Sequence, residues 1–275
     1  MITVQPTLAY KFNDRVSVGF GPTINRIDGQ LDSDLNTAVV APPLGNNGDT
    51  AIRIKGDDVA AGFNAGVMVD LNDDTTWGAT YHSRVKYTLE GDLKVRNAPP
   101  VLGGSRLNGT HDATLDLTLP ESVDTSITHK LDDRWTVYAG ATWTRWSRLQ
   151  SIDVENTSLL GTVSEELNWK DTWSGAIGAS YQLDKQWVLR TGFAYDPSPT
   201  SNEDRSLRIP VGDRKVVTLG AGYSPNDDLT IDIAYGYLWE NTASVNYEGE
   251  PFQPAYSAKY DNTAHIFGTQ VTYRF

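Results

Sequence analysis

Two kinds of connection alternate without exception along this chain of 275 residues, and that alternation limits what it can fold into. Short breaks rich in Asp and Asn stand at Asn13-Asp14-Arg15, Asn72-Asp73-Asp74, Asp132-Asp133-Arg134, Asp184-Lys185-Gln186 and Asn226-Asp227-Asp228. Between them lie long breaks rich in Gly, Pro and Asn: Leu31 to Thr50, Asn97 to Thr110, Glu155 to Glu166, Pro197 to Asp213 and Asn241 to Asp261. The segments separating these breaks follow a period of two, which is the side-chain period of a strand. They predict strands over 2–12, 15–29, 57–71, 75–92, 112–131, 134–154, 168–184, 187–196, 214–224, 229–241 and 263–275. An antiparallel up-and-down meander puts every tight turn at one end and every long loop at the other. Outer-membrane barrels have that asymmetry, with short periplasmic turns and long extracellular loops.

Composition narrows the class further. No stretch approaches 18 consecutive apolar residues and mean hydropathy is −0.41, which excludes a transmembrane helix but not a barrel, whose strands show lipid only every second side chain. Lys and Arg number 23 against 35 Asp and Glu, a formal charge of −12, so a nucleic-acid partner held by a broad basic surface is not expected. With no Cys there are no disulfides, Cys–zinc sites or thiol nucleophiles. No basic n-region, apolar h-region or cleavage site follows Met1, so the sequence reads as a cytoplasmic chain, a mature form or a fragment. No helical period, heptad or internal repeat is sustained.

The last strand sharpens the membrane reading. Phe267, Thr269, Val271, Tyr273 and Phe275 form one mostly apolar face, and Gly268, Gln270, Thr272 and Arg274 the other. A chain that closes on a strand with a terminal aromatic is what barrel assembly machinery reads, so Phe275 marks that machinery as an expected partner. Aromatics gather near strand ends: Trp77 and Tyr81, Trp135 and Tyr138, Trp143 and Trp146, Trp169 and Trp173, Trp187, Tyr235, Tyr237 and Trp239. Two girdles at the lipid–water boundaries are therefore expected. The competing explanation is a soluble secreted β-sandwich with an aromatic core.

An ordered series of local patterns runs along the chain. It begins with Gly62-Phe-Asn-Ala-Gly66, Thr80-Tyr-His-Ser-Arg-Val-Lys-Tyr87 before Leu89-Glu-Gly91, and Leu119-Pro-Glu-Ser122. Trp143-Thr-Arg-Trp-Ser147, Trp169-Lys-Asp171 and Arg190-Thr-Gly-Phe-Ala-Tyr-Asp196 follow, then Ser198-Pro199, Arg205 with Ile209-Pro210, and Asp213-Arg214. The series resembles the FadL/TodX family of outer-membrane transporters for long-chain fatty acids and other hydrophobic compounds, over nearly the whole chain. The resemblance implies an all-β barrel of fourteen antiparallel strands, an N-terminal hatch, and a lateral opening made by a kink in an early strand. The first strand here is similar to the family's fourth, so the hatch and first three strands have no counterpart. The expectation is one barrel domain, 1–275, truncated at its N-terminus, with about eleven of the fourteen strands.

Catalysis finds little support. His82, His111, His129 and His265 accompany no nucleophile elbow and no metal-ligand spacing, and no cofactor is expected. The acidic stretch Gly48-Asp49 and Gly56-Asp57-Asp58 offers carboxylates for Ca²⁺ or for cations bridging lipopolysaccharide, but it lacks EF-hand spacing and reads more simply as solvated loop charge. A hydrophobic-compound channel needs apolar lining with a few polar groups for any headgroup. Trp187, Leu189, Phe193 and Tyr195 share a face, opposite Val188, Gly192, Ala194 and Arg190, and Phe193 and Tyr195 are candidate ligand contacts. A carboxylate would be held by Arg or Lys, and Arg26, Arg145 and Lys170 are the candidates. The family has a basic residue shortly before its Trp-Lys-Asp segment where this chain has Ser164-Glu165-Glu166, which makes a neutral hydrocarbon or aromatic a fair alternative. The reading is a bacterial outer-membrane β-barrel for passive uptake of hydrophobic molecules, monomeric, with lipid and lipopolysaccharide as its surroundings. A general porin or adhesin barrel without a specific ligand is the runner-up.

Overall fold

The structure is a computed structural model that describes residues 1–35, 50–249 and 255–274. Much of the Leu31–Thr50 loop, Asp49 and Phe275 lie outside the described residues.

The tight turns form for a local reason. Asn13 Oδ1 accepts the backbone N–H groups of Arg15 and Val16, both at 2.9 Å. Asp132 does the same for Arg134 and Trp135, Asp184 for Gln186 and Trp187, and Asn226 for Asp228 and Leu229. Asn72 accepts the Asp74 N–H at 3.0 Å. Each Asx side chain stands in for a backbone acceptor and closes the turn without a longer loop. The donors of Trp135 and Arg134 also hold the Asp132 carboxyl below the usual range.

These turns join neighbours in a continuous antiparallel wall. Its crossings are β1 (Ile2–Val4) with β2 (Leu8–Lys11), β3 (Val16–Leu35), β4 (Thr50–Asn72), β5 (Thr75–His82), β8 (Ser122–Lys130), β9 (Trp135–Thr144), β12 (Thr172–Gln182), β13 (Trp187–Asp196), β14 (Arg214–Tyr223), β15 (Leu229–Glu240) and β18 (Thr263–Tyr273). Counting β1 with β2 gives eleven crossings, the number and order read from the sequence. Because consecutive crossings are antiparallel neighbours, short and long connections fall at opposite ends. Among the described residues β1, β2 and β18 each pair on one side alone, so the wall has two edges.

Several predicted strands are broken. The 75–92 segment divides at Ser83–Arg84 into β5 and β6 (Val85–Arg96), and 112–131 divides at Pro120–Glu121 into β7 (Gly109–Leu119) and β8. Proline has no N–H to give the ladder, which accounts for the second break. The 134–154 segment divides where a short 3₁₀ turn, Trp146–Arg148, separates β9 from β10 (Ser151–Asn156). The register of β4 slips by one residue between its pairing with β5, Asn64 to His82, and with β6, Asp57 to Glu90. Above these breaks β3, β4, β6, β7, β10 and β11 (Thr162–Glu166) form a second tier, here called the collar. Its apolar core joins Ile52, Leu93, Val95, Ala113 and Val154 to Ala98 and Leu107 of the 97–108 loop. A hairpin of β16 (Ala243–Tyr247) and β17 (Tyr256–Tyr260) rises beside it.

Cross-strand register fixes which side chains share a face of the wall. One face carries Val67, Trp77, Ile127, Ala139, Ile177, Phe193, Val217, Tyr237 and their partners, from Ile2 to Tyr273. The other carries mainly Gly, Ala, Ser, Thr, Asp, Asn and Arg, with Met68, Tyr138, Val216, Leu238 and Ile266 among them. A bilayer accepts only the first against its tails, so that face is the outside. It bears two aromatic belts: Trp135, Tyr181, Trp187 and Tyr223 near the tight turns, and Tyr81, Trp143, Trp173, Tyr195 and Trp239 near the long loops. On β9, Trp135 to Trp143 spans nine residues, roughly 26 Å of extended chain, which suffices for a tilted crossing. Phe267, Val271 and Tyr273 stand on the outside, 78 %, 67 % and 64 % exposed, with Gln270 and Thr272 inside. Spin labels at Tyr273 and Thr272 are expected to differ, with Tyr273 reached more readily by a lipid-soluble quencher. Equal accessibility, or the reverse order, would contradict this face assignment.

Candidate functional site

The inner face is nearly bare. Gly66, Gly78, Gly140, Gly178, Gly192, Gly220, Gly222, Gly236 and Gly268 all point inward by register, interspersed with Ala, Ser and Thr. Mid-wall, this leaves a hollow of about 500 Å³ floored by Gly140, Gly178 and Gly192, with Tyr138, Ala176 and Val216 beside them. The Tyr138 hydroxyl lies 3.0 Å from Ser180 Oγ, so its polar end is satisfied by the wall.

Most charges that point inward around the hollow are partnered; Lys130, one rung from Thr128, has no side-chain partner among the described residues. Arg190 meets Asp232 at 2.7 Å, and a Cβ at Gly222 would come within 2.6 Å of that carboxylate, so glycine keeps the pair's space open. His82 lies 3.0 Å from Asp124 through Nε2 and 2.9 Å from Asn64 through Nδ1, while Thr142 donates to Asp124. Arg214, at the top of β14, faces Glu240 at 3.2 Å and Asp196 at 3.7 Å. Paired charges cancel one another's fields at a distance, so the inside offers polarity without a broad field of one sign.

Above the upper belt, Glu121 is buried between Arg148 at 2.8 Å and Arg145 at 3.1 Å. The Arg148 hydrogen bond carries its carboxyl down to about 2, against the opposing pull of burial. The 197–213 loop then bridges the collar. Arg205 bonds to the carbonyls of Val211 and Ser244, and burial pushes its guanidinium down while Asp213 and Glu240 oppose that. Arg208 reaches Glu165 of β11 at 3.0 Å and the Asp32 carbonyl of β3 at 3.3 Å.

The residues proposed from the sequence are dispersed. Arg26 stands on the outer-face register of β3, paired with Asp57 at 3.3 Å. Arg145 belongs to the Glu121 cluster. Lys170 lies one strand away, where Ser147 N–H donates to Asp171 and Lys170 N–H to Pro199, and its ammonium has no partner among the described residues. Phe193 and Tyr195 stand on the outer face, so the lumen contact expected of them is not where their side chains are. Their strand presents Gly192 and Ala194 inward. The pairs His82–Asp124 and Arg190–Asp232 and the Arg214 cluster were not singled out. Period-two alternation exposes such residues in sequence, but only pairing across strands brings them together. Asp57 and Asp58 are engaged by Arg26 and by the Thr88 N–H, and no cluster able to hold a metal occurs among the described residues.

An inward-bare, outward-apolar wall with aromatic belts is matched along its whole length by a family model described as "Outer membrane protein transport protein (OMPP1/FadL/TodX)", over residues 1–275. The chain belongs to this family. As a FadL/TodX member it is an outer-membrane β-barrel protein. It is 32 % identical to a long-chain fatty acid transport protein of Escherichia coli O6:H1, over 97 % of this chain and 65 % of that one. It is 28 % identical to outer membrane protein P1 of Haemophilus influenzae, over 97 % and 63 %. A crystal structure of a Pseudomonas aeruginosa FadL homologue superposes with a TM-score of 0.86 at 27 % identity, covering 98 % of this chain and 67 % of that one. The Ralstonia pickettii toluene transporter TbuX shares the fold, with a TM-score of 0.64 at 16 % identity over 98 % and 67 %. This FadL-type chain thus spans about 65 % of the length of the curated relatives it matches first. Those relatives are named transport proteins, not enzymes.

Proposed function

We propose that this chain is the greater part of an outer-membrane channel that lets hydrophobic small molecules, long-chain fatty acids or neutral hydrocarbons, diffuse inward without a cofactor or energy source. The observation that supports it is the hollow of about 500 Å³ on the inner face, with small and apolar side chains around it. That volume lies in the range of small-molecule pockets. A general porin, the second reading, calls for an inner wall of unpaired charge facing water. The pairing of Arg190, His82 and Arg214 argues against it.

The domain is read as N-terminally incomplete, because a sheet edge cannot rest in hydrocarbon with its N–H and C=O groups unpaired. A preceding segment would close β1–β2 against β18 and supply the hatch. The partners of this reading are outer-membrane lipid and lipopolysaccharide around the wall, the barrel assembly machinery at the last strand, and no second protomer. Of the three basic candidates, Lys170 alone has no side-chain partner among the described residues, while Arg26 and Arg145 are paired.

The test is vesicle uptake by the full-length protein. Oleate and a neutral aromatic should both enter, while a small sugar of similar size should not. A sugar passing as fast as the aromatic would favour the porin. Lys170→Leu should slow oleate, by the about 1.5–3 kcal/mol of a charge-assisted hydrogen bond, and leave the aromatic nearly unchanged. Equal slowing of both would remove Lys170 from the ligand path.

A further inference from the structure

The outer face of the wall from β9 through β12, β13, β14, β15 and β18 is apolar or uncharged at every position but two. Register places Lys215 there, directly opposite Tyr195 on one side and Trp239 on the other. It is the sole Lys, Arg, Asp or Glu on that face, and His265, opposite Tyr237, is the sole His. Lys215 stands at the level of the upper aromatic belt, the long-loop side, and therefore at the outer leaflet. Its ammonium donates to Asn241 Oδ1 at 3.0 Å, and no carboxylate pairs with it among the described residues. The nearby Asp213 is occupied by Tyr195 Oη, Ser198 N–H and Asn241 Nδ2.

A second feature starts one rung below. Phe193 and Val217 stand next in line beneath Tyr195 and Lys215, and they border an outer-face hollow of about 640 Å³. Its floor is small at Ala139, between Ile127 and Ile177, and at Ala179 and Thr191 on the next rung, which continues through Val137 to His129, whose ring is held by Thr75 Oγ1 at 2.8 Å. The hollow follows two adjacent ladder rungs across the strands, Val217–Phe193–Ile177–Ala139–Ile127 and Thr191–Ala179–Val137–His129. Barrel strands tilt by about 35–45°, so the rungs, perpendicular to them, run obliquely, neither in the membrane plane nor along its normal.

We infer that Lys215 and this hollow form a binding site for one outer-leaflet lipopolysaccharide molecule, with a glycolipid phosphate on the Lys215 ammonium and an acyl chain over Ala139, Ala179 and Thr191. The chemistry matches at both ends. A cation facing lipid needs an anion at headgroup depth, and phosphate is the group the outer leaflet supplies. Tyr195 and Trp239 flank the ammonium with rings suited to the interface. A hollow against the tails would otherwise leave its lining atoms without contacts, and an acyl chain fills it. Lipid selection by the outer surface rests on the membrane reading above and not on what crosses the lumen.

The test compares the full-length protein with Lys215→Met, Lys215→Arg and Ala179→Phe, each extracted in mild detergent and examined by native mass spectrometry for retained lipopolysaccharide. Heat-modifiable gel mobility verifies folding, and aromatic uptake verifies the channel separately. Lys215→Met and Ala179→Phe should each retain about tenfold less, and Lys215→Arg as much as the parent. Adding back dephosphorylated glycolipid should restore no more than Lys215→Met retains of the native form. Retention unchanged in Lys215→Met or in Ala179→Phe would overturn the site. So would dephosphorylated glycolipid, or phosphatidylglycerol, binding as well as lipopolysaccharide. Lost uptake with retained lipopolysaccharide would instead count against the transport reading alone.

Discussion

The 275 residues alone, added to lipid vesicles, are expected to fail to insert, or to form a leaky pore that passes sugar and aromatic alike. The cause is the pair of edges. Every backbone group on the free sides of β1, β2 and β18 would meet hydrocarbon, at several kcal/mol for each unsatisfied group. Direct closure of β18 on β1–β2 would need a narrower barrel, since diameter grows with strand number. The inward glycines that make room mid-wall would then crowd one another. With the additional length that the curated relatives carry, uptake should become selective. Selective uptake of the aromatic by the 275 residues, in vesicles free of any longer copy, would refute this.

The second large effect is at Glu121. Replacing it by Gln leaves Arg145 and Arg148 facing each other without their anion, beneath the collar. Removing one partner of a largely buried ion pair typically costs about 3–5 kcal/mol, and Arg145 here is 44 % exposed, so the lower end is expected. Heat-modifiable mobility of the full-length protein should move to lower temperature by several degrees, while Gln150→Ala, nearby but uncharged, should move it little. The same carboxyl sets an acid limit. Its folded value is lowered to about 2 from an ordinary 4.5, so its contribution is complete above about 4.5 and fades as pH falls toward 2. In Glu121→Gln that part of the acid dependence should vanish. A variant as stable as the parent at neutral pH would mean the cluster is not holding the collar.

The wall was legible in the sequence because its causes are local. An Asx residue that can accept the next backbone donors announces a turn wherever it stands, and all five tight turns were placed by Asp or Asn alone. Alternation announced the crossings. What alternation does not say is which of two faces looks inward, and Phe193 and Tyr195 show the consequence. Read along β13 alone, their row could line a lumen. Read across strands, Phe193 stands between Ile177 and Val217, and the inward row is Gly192 and Ala194. The Pro120 break was visible as a proline. The break at Ser83–Arg84 had no such marker, because a one-residue slip between β4 and its two partners is set by both sides of the ladder. The collar core was missed for a related reason. Leu107 and Ala98 belong to a loop by composition, and are buried because Ile52, Leu93 and Val154 come from three distant strands.

Arg208 gives the collar the character of a hoop with a clasp. The six collar strands begin at β3 and end at β11, and among the described residues no ladder joins those ends. One guanidinium from the 197–213 loop touches both, through Asp32 and Glu165. Hoop and clasp therefore hold each other: whatever steadies the loop draws the hoop's ends together, and whatever lets the ends part loosens the loop by the same free energy. The two ends of the ring are thus tied by a residue that belongs to neither.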